Sequence, residues 1–428
     1  MSLLKEKLAG QIPELREELR SIIKEHGDQK ISDVNIAQAY GGMRGIKGMV
    51  CDTSVVEPDK GLIIRGKPIL ELTDKLPEEI FWLLFTGELP TKDEVQYLNE
   101  EWTRNYAVPS YVWRVVDAMP VDSHPMVMLS AAILSMQRES IFAKRYHTMR
   151  KEEYWEAALE DAMMLLARLP GVAAGIYHHR YHKGERMRHD PSLDWASNFV
   201  HQLGLPGDGE DCRKMMRLYL TLHSDHEGGN VSANTCHTVG SALSDPYYAV
   251  SAGLNGLAGP LHGLANQECL NFVFDIQNKF SGVPTTDELT EACWDLLNRG
   301  QVIPGYGHAV LRVPDPRFVA FHAFGKEHLP NDPIYQIVDR LFEVAPKVLQ
   351  EHGKAKNPWP NVDAASGALL NYYGMREYSF YTVIFGVSRA MGMLSQLVLN
   401  RALGIPLTRP KSVSTPWIKS QIAAKAAG

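Results

Sequence analysis

Apolar residues recur at intervals of three and four along most of this chain, and alternate at intervals of two almost nowhere. That period is the footprint of amphipathic helices rather than half-buried strands. It runs through EEYWEAALEDAMMLLARL (152–169), DCRKMMRLYLTLH (211–223), DPIYQIVDRLFEVAPKVLQEHG (332–353) and REYSFYTVIFGVSRAMGMLSQLVLNRALG (376–404). Local punctuation agrees. Pro77 occupies a first helical position with Glu78 and Glu79 behind it and Gly87 as the stop, and Thr91 with Glu94 and Thr285 with Glu288 form capping boxes. Only MVCDTSVVEPDKGLIIRG (49–66) reads as a strand pair, two β-branched runs around a Pro-Asp-Lys-Gly turn. With no repeat and no alternating strand–helix pattern, the expectation is an all-α, multi-helical fold with one small N-terminal β-hairpin.

A chain of 428 residues is long enough for two or three domains. Glycine-rich loops near 260 and 358–367 bracket a helical insert, so we expect a large domain of 1–263 and 371–428 carrying a small domain of 264–370. The segment 228–260 is rich in Gly, Ala and Ser, which suits either tight internal helix packing or a subunit interface.

Charge narrows the function classes. A net charge of −6 argues against nucleic acid or a membrane surface as partner, and an anionic ligand would need a local arginine and lysine cluster. The apolar run from Tyr378 to Asn400 is interrupted by Arg389, so it is not read as a membrane span. Five scattered cysteines without a CxxC pair read as free thiols, and the amphipathic N-terminus, which mixes acids and bases and has no apolar core, does not read as a presequence. The expectation is a cytoplasmic protein, with the mitochondrial matrix as the alternative if a presequence was removed.

Chemistry concentrates in three loops. His262 lies in GPLHGLANQE, His308 in PGYGHAV and Asp363 in KAKNPWPNVD. Two imidazoles and a carboxylate suit proton removal beside a carbonyl: the carboxylate takes the proton, one ring donates to the enolate oxygen, the other polarises the acceptor. Taken singly, each has a plainer reading, His262 as a hydrogen-bonded turn residue and Asp363 as a helix N-cap. In HSDHEGGN (223–230), His223, Asp225, His226 and Glu227 lie together, but the spacing fits no zinc helix signature. Helix termination at Gly228-Gly229 accounts for that composition, and no metal is expected. Arg389 falls among apolar residues, where a guanidinium needs a buried carboxylate or a bound anion. Arg317 and Arg409 are further anion candidates, and Arg312, Lys354 and Lys356 supply local positive charge around His308 and Asp363. GGMRGIKG (41–48) lacks the ending of a phosphate-binding P-loop.

Read together, HSDHEGGN, NGLAGPLHGLANQE, QVIPGYGHAVLRVPDPR, GKAKNPWPNVD, FGVSRAMG and RPKS, in this order, resemble the citrate synthase family of mitochondria and some bacteria. YGGMRGIKGMV and the hairpin resemble its N-terminal half, so the likeness spans nearly the whole chain. The resemblance implies an all-α homodimer whose two domains close over substrate, in a Claisen-type condensation of acetyl-CoA with oxaloacetate followed by hydrolysis to citrate and CoA. It implies Asp363 as base, His262 as donor to the thioester oxygen and His308 as the polariser of the ketone. Oxaloacetate would be held by His226, Arg317 and Arg389, with Arg409 reaching across from the partner subunit. Acetyl-CoA would be a co-substrate, no cofactor being bound permanently. It would meet Val302, Gly305, Tyr306 and Gly307, with Arg44, Arg150, Arg312, Lys354, Lys356 and Asn361 around it. One position departs from the family's pattern: Ala365 stands where that pattern has a histidine.

Overall fold

The computed structural model describes residues 2–427, in nineteen α-helices with short 3-10 turns and one three-stranded antiparallel sheet. The sheet extends the expected hairpin. Strand β1 (Ser54–Glu57) pairs with β2 (Gly61–Ile64), Ser54 opposite Ile64, and β2 pairs with a two-residue strand β3 (Lys67–Pro68). All four β2 residues are buried, so the ribbon packs rather than floats. Gly61, at φ +84°, lies so close to Pro316 that a Cβ there would meet the ring. The hairpin is thereby seated against the start of the Pro316–His328 helix.

The helix caps follow local chemistry. Pro77 opens the Pro77–Thr86 helix and Gly87 closes it in the left-handed region, while Thr91 and Thr285 cap their helices in reciprocal boxes with Glu94 and Glu288.

The core centres on the Tyr381–Leu403 helix, buried on all sides. Around it pack the helices Tyr154–Tyr181, Val231–Ser241, Glu210–His223, Pro246–Leu257 and Pro77–Thr86. The stretch Tyr378–Leu403 has the length and mean hydropathy, 1.4, of a membrane span, yet its apolar window is entirely buried in protein, which makes it a core helix. Close approach depends on small residues: a Cβ at Gly240 would meet Leu397, and one at Gly256 would meet Val231 and Thr235. The small-residue segment 228–260 therefore packs internally, while Val231, Leu243 and Tyr248 leave apolar surface outward.

The helices Ala265–Phe280, Thr286–Asn298, Pro316–His328, Pro333–His352 and Asp363–Tyr372 pack chiefly on one another. They meet the rest where the Pro316–His328 helix lies on Glu210–His223 and on the sheet. The residues described next come from both sides of that meeting line.

Candidate active site

On the larger body the site is built around Arg389, which the central helix carries at 1% exposure. Its Nε donates to the His223 carbonyl at 3.0 Å, and its remaining contacts are neutral: Asn230 Oδ1 at 3.4 Å, Ser232 Oγ at 3.5 Å and the Phe385 ring at 4.8 Å. Among the described residues no carboxylate stands within ion-pair reach. Burial lowers the Arg389 pKa to about 10, with Asp225 pulling the other way. The carboxylate of Asp225 is already engaged by Thr53 Oγ1 (2.6 Å), Ser54 Oγ (2.8 Å) and Gln396 Nε2 (2.8 Å). Of the two partners open to Arg389, a bound anion fits better than a protein acid.

The turn at 223–230 corrects one sequence reading. The helix ends at His223, five residues before Gly228, and neither Gly228 nor Gly229 has a positive φ; Glu227 does, at 53°. The buried anchorage of Asp225 draws the chain off the helix axis early. The acids and histidines of the turn also disperse: His223 Nδ1 lies 2.9 Å from the Tyr219 carbonyl, and Asn230 caps the Val231–Ser241 helix by accepting from Ala233 N.

His262 sits in the turn before the Ala265–Phe280 helix, half-buried. Its Nε2 lies 3.4 Å from the backbone nitrogen of Ser232 and 3.0 Å from the Ser232 hydroxyl. A backbone N–H can only donate, so Nε2 is the acceptor, and the proton of the neutral ring is on Nδ1. His308 has the opposite arrangement. Its Nδ1 accepts from Val310 N (3.1 Å) and Leu311 N (3.0 Å), which puts the ring proton on Nε2. Burial, with Arg389 adding to it, holds His262 down to about 4, and burial with Arg317 does the same for His308. Both rings are therefore neutral donors at neutral pH.

The loops carrying His308 and Asp363 are zipped together. Gly307 N donates to the Trp359 carbonyl (2.9 Å), Asn361 N to the Gly305 carbonyl (2.8 Å) and Asn361 Nδ2 to the Gly307 carbonyl (3.0 Å), around a Tyr306–Pro360 bridge. Asp363 proves not to be a cap. It is the first residue of the Asp363–Tyr372 helix, Val362 is the N-cap without a side-chain bond, and Asn361 Oδ1 takes the Asp363 N–H at 3.0 Å. The carboxylate is thus spared for other work. Burial pushes its pKa up to about 6, with Arg317 and Arg389 opposing and Asp315 assisting.

Arg317 is 4% exposed and gripped bidentately by Asp315, Nε to Oδ1 at 3.1 Å and NH2 to Oδ2 at 2.7 Å. The ring of His226 lies 5.7 Å from that of His308, its Nε2 buried and unpartnered among the described residues. Burial first, then Arg317, Arg389, His308 and His262, push its pKa well below the usual histidine range. These groups, with Asp363, share one electrostatic neighbourhood.

Several other expected residues lie at the surface. Arg44, Val302, Arg312, Lys354, Lys356 and Arg409 are exposed. Arg150 is also exposed and its guanidinium meets Glu153 of its own turn at 2.8 Å. Ala365 is fully buried in its helix, away from solvent. Sequence reasoning missed Asn230, Ser232 and Asp315, which orient the arginines and His262. Asn230 could have been found as an N-cap directly after the glycine pair, and Asp315 as the acid two residues before Arg317.

Residues 42–411 match the family model described as citrate synthase, C-terminal domain. A probable mitochondrial citrate synthase of Glossina morsitans morsitans is 49% identical over 433 residues, covering 98% of this chain and 93% of that protein. The mitochondrial citrate synthase of Xiphias gladius is 48% identical over 434 residues, covering 99% and 92%. Among solved structures, the ternary complex of carboxymethyl coenzyme A and oxaloacetate with citrate synthase from Thermoplasma acidophilum superposes with a TM-score of 0.75 at 22% identity, over 90% of this chain and 97% of that one.

Proposed function

The chain belongs to the citrate synthase family, and from that membership we propose how its cleft carries the condensation of acetyl-CoA with oxaloacetate. The enzyme is a transferase of the citrate (Si)-synthase kind, forming citrate and CoA at the first step of the tricarboxylic acid cycle. The single observation that best supports the assignment of roles is the pair of neutral histidines protonated on opposite ring nitrogens. Each ring has one N–H left to donate, and we place both toward the substrate that Asp363 deprotonates.

Asp363 removes a proton from the acetyl methyl group, and its raised pKa of about 6 makes it a stronger base than an exposed carboxylate while leaving it ionised at neutral pH. The His262 Nδ1–H hydrogen-bonds the thioester oxygen as it gains enolate charge. The enolate carbon attacks the ketone carbon of oxaloacetate, whose oxygen is met by the His308 Nε2–H. The carboxylates of oxaloacetate are held by Arg317 and Arg389, with His226 beside them and Arg409 of the partner subunit completing the set. Asp315 orients the Arg317 fork, and Asn230 and Ser232 orient Arg389, so that little reorganisation remains at the transition state. Water then hydrolyses citryl-CoA. We assign 264–370 as the small domain, its motion over the larger body excluding water until the carbon–carbon bond has formed. CoA runs along the zipped loops at Val302, Gly305, Tyr306, Gly307 and Asn361, with Arg44, Arg150, Arg312, Lys354 and Lys356 about its phosphates. The outward apolar residues Val231, Leu243 and Tyr248 support a homodimer. The two relatives' names favour the mitochondrion over the cytoplasm.

Protein mixed with oxaloacetate and acetyl-CoA should release free thiol, and omission of either substrate should abolish the release. Absence of thiol with both substrates present overturns the reading. Acetyl-CoA should exceed propionyl-CoA in kcat/KM, by a margin limited to about 1–3 kcal/mol for one methylene.

A further inference from the structure

The segment 405–414, which carries Arg409, has no regular structure between the Tyr381–Leu403 helix and the Thr415–Ala427 helix. Among the described residues, every hydrogen bond made by 406–413 runs through Thr408. Its N–H donates to Ser241 Oγ at 3.1 Å, and its Oγ1 lies 2.8 Å from His237 Nε2. The other nitrogen of His237, Nδ1, lies 2.9 Å from Asn400 Nδ2. An amide nitrogen only donates, so Nδ1 accepts and the ring proton is on Nε2, pointed at Thr408. Burial lowers the pKa of His237 and keeps this neutral form in place. The pinned residue lies between Pro406 and Pro410. Each proline fixes its own φ, and Arg409, preceding Pro410, is biased to an extended backbone. Holding Thr408 therefore sets the direction in which Arg409 leaves the protomer, where it is exposed and forms no ion pair among the described residues.

We propose that His237, braced by Asn400, is a positioning residue that aims Arg409 at the oxaloacetate of the partner subunit. It acts on the other protomer's site, not its own. The inference rests on the reading that Arg409 works across the dimer.

The measurements are the KM for oxaloacetate and kcat of His237→Ala, His237→Gln, Arg409→Ala and tagged, purified heterodimers. His237→Ala should raise that KM about two- to tenfold, the value of one hydrogen bond, with kcat nearly unchanged. His237→Gln, whose amide can donate from the Nε2 position, should recover part of the loss. In a heterodimer of one His237→Ala and one Asp363→Ala protomer, the working site lies on the His237→Ala protomer and takes Arg409 from a chain with intact His237. Its KM should return to the wild-type value. A KM that stays raised in the heterodimer, or that never rises in His237→Ala while Arg409→Ala raises it, overturns the inference. An unchanged KM in Arg409→Ala overturns the cross-subunit reading of Arg409, and the inference with it.

Discussion

Residue types showed where the chemistry lies but not which atoms perform it. His262 and His308 stand out in the sequence because each sits in a glycine-flanked turn. Their protonated nitrogens are set by backbone N–H groups of Ser232, Val310 and Leu311, and main-chain donors have no signature in a list of side chains. Asp363 was legible as an acid before a helix, and on that basis a cap was the simpler reading; only the geometry shows Asn361 taking the turn's N–H instead. The consequence is measurable. Asp363→Asn should lower kcat by about a hundred- to ten-thousandfold with little effect on oxaloacetate binding, because a general base acts mainly in the transition state. In the parent enzyme, kcat/KM should fall as pH drops through about 6, the Asp363 value, since His262 and His308 remain neutral down to about 4. A profile flat through that range, or a variant turning over normally, removes Asp363 from the role.

At the scale of elements, capping boxes and the Pro–Gly bracket predicted helix ends faithfully because they depend on neighbours three residues away. The periodic run 211–223 stops where the Glu210–His223 helix stops, but the cause is not the Gly228-Gly229 pair: Asp225 is fixed by Thr53 and Ser54, some 170 residues earlier in the chain. The two loops that hold His308 and Asp363 are likewise joined by pairings that sequence does not display. Gly305 is the tightest point of that zipper. It has φ +81°, and a Cβ would lie 2.9 Å from both the Ala364 Cβ and the Cys269 Sγ. Gly305→Ala should cost about 1–3 kcal/mol of stability through backbone strain and crowding. It should also lower kcat, because Ala364 adjoins the base and the loop carries His308. Urea unfolding and steady-state kinetics on the same preparation test both effects. Full activity with unchanged stability means that the zipper does not position the pair.

For the molecule as a whole, the helical period and the isolated hairpin were enough to predict an all-α architecture, whereas the placement of ionisable groups inside it was not. Two buried sets oppose each other. His223, held near 3, and His226, His262 and His308, all lowered by burial, are neutral when folded. Their contribution to stability is present above the unfolded histidine value and is lost as pH falls. Glu78, Asp161, Asp225 and Asp363 are raised by burial, so theirs is present at low pH and is lost as pH rises through the folded values. Glu78 is the clearest member for a difference measurement. It is fully buried, accepts the Trp195 N–H at 2.8 Å, and is pushed up to about 7 by burial and by Asp194. Glu78→Gln keeps an acceptor for Trp195 but cannot titrate. The parent's unfolding free energy should therefore gain on the variant's by about 1.4 kcal/mol for each pH unit of acidification below 7, until the unfolded carboxylate also protonates. At alkaline pH the ordering should narrow or reverse, because there the parent buries an ionised acid. Urea unfolding of both proteins at several pH values reads this directly. Parallel stability curves mean that Glu78 keeps an ordinary carboxylate value in the folded protein, and that the balance between the two sets does not involve it.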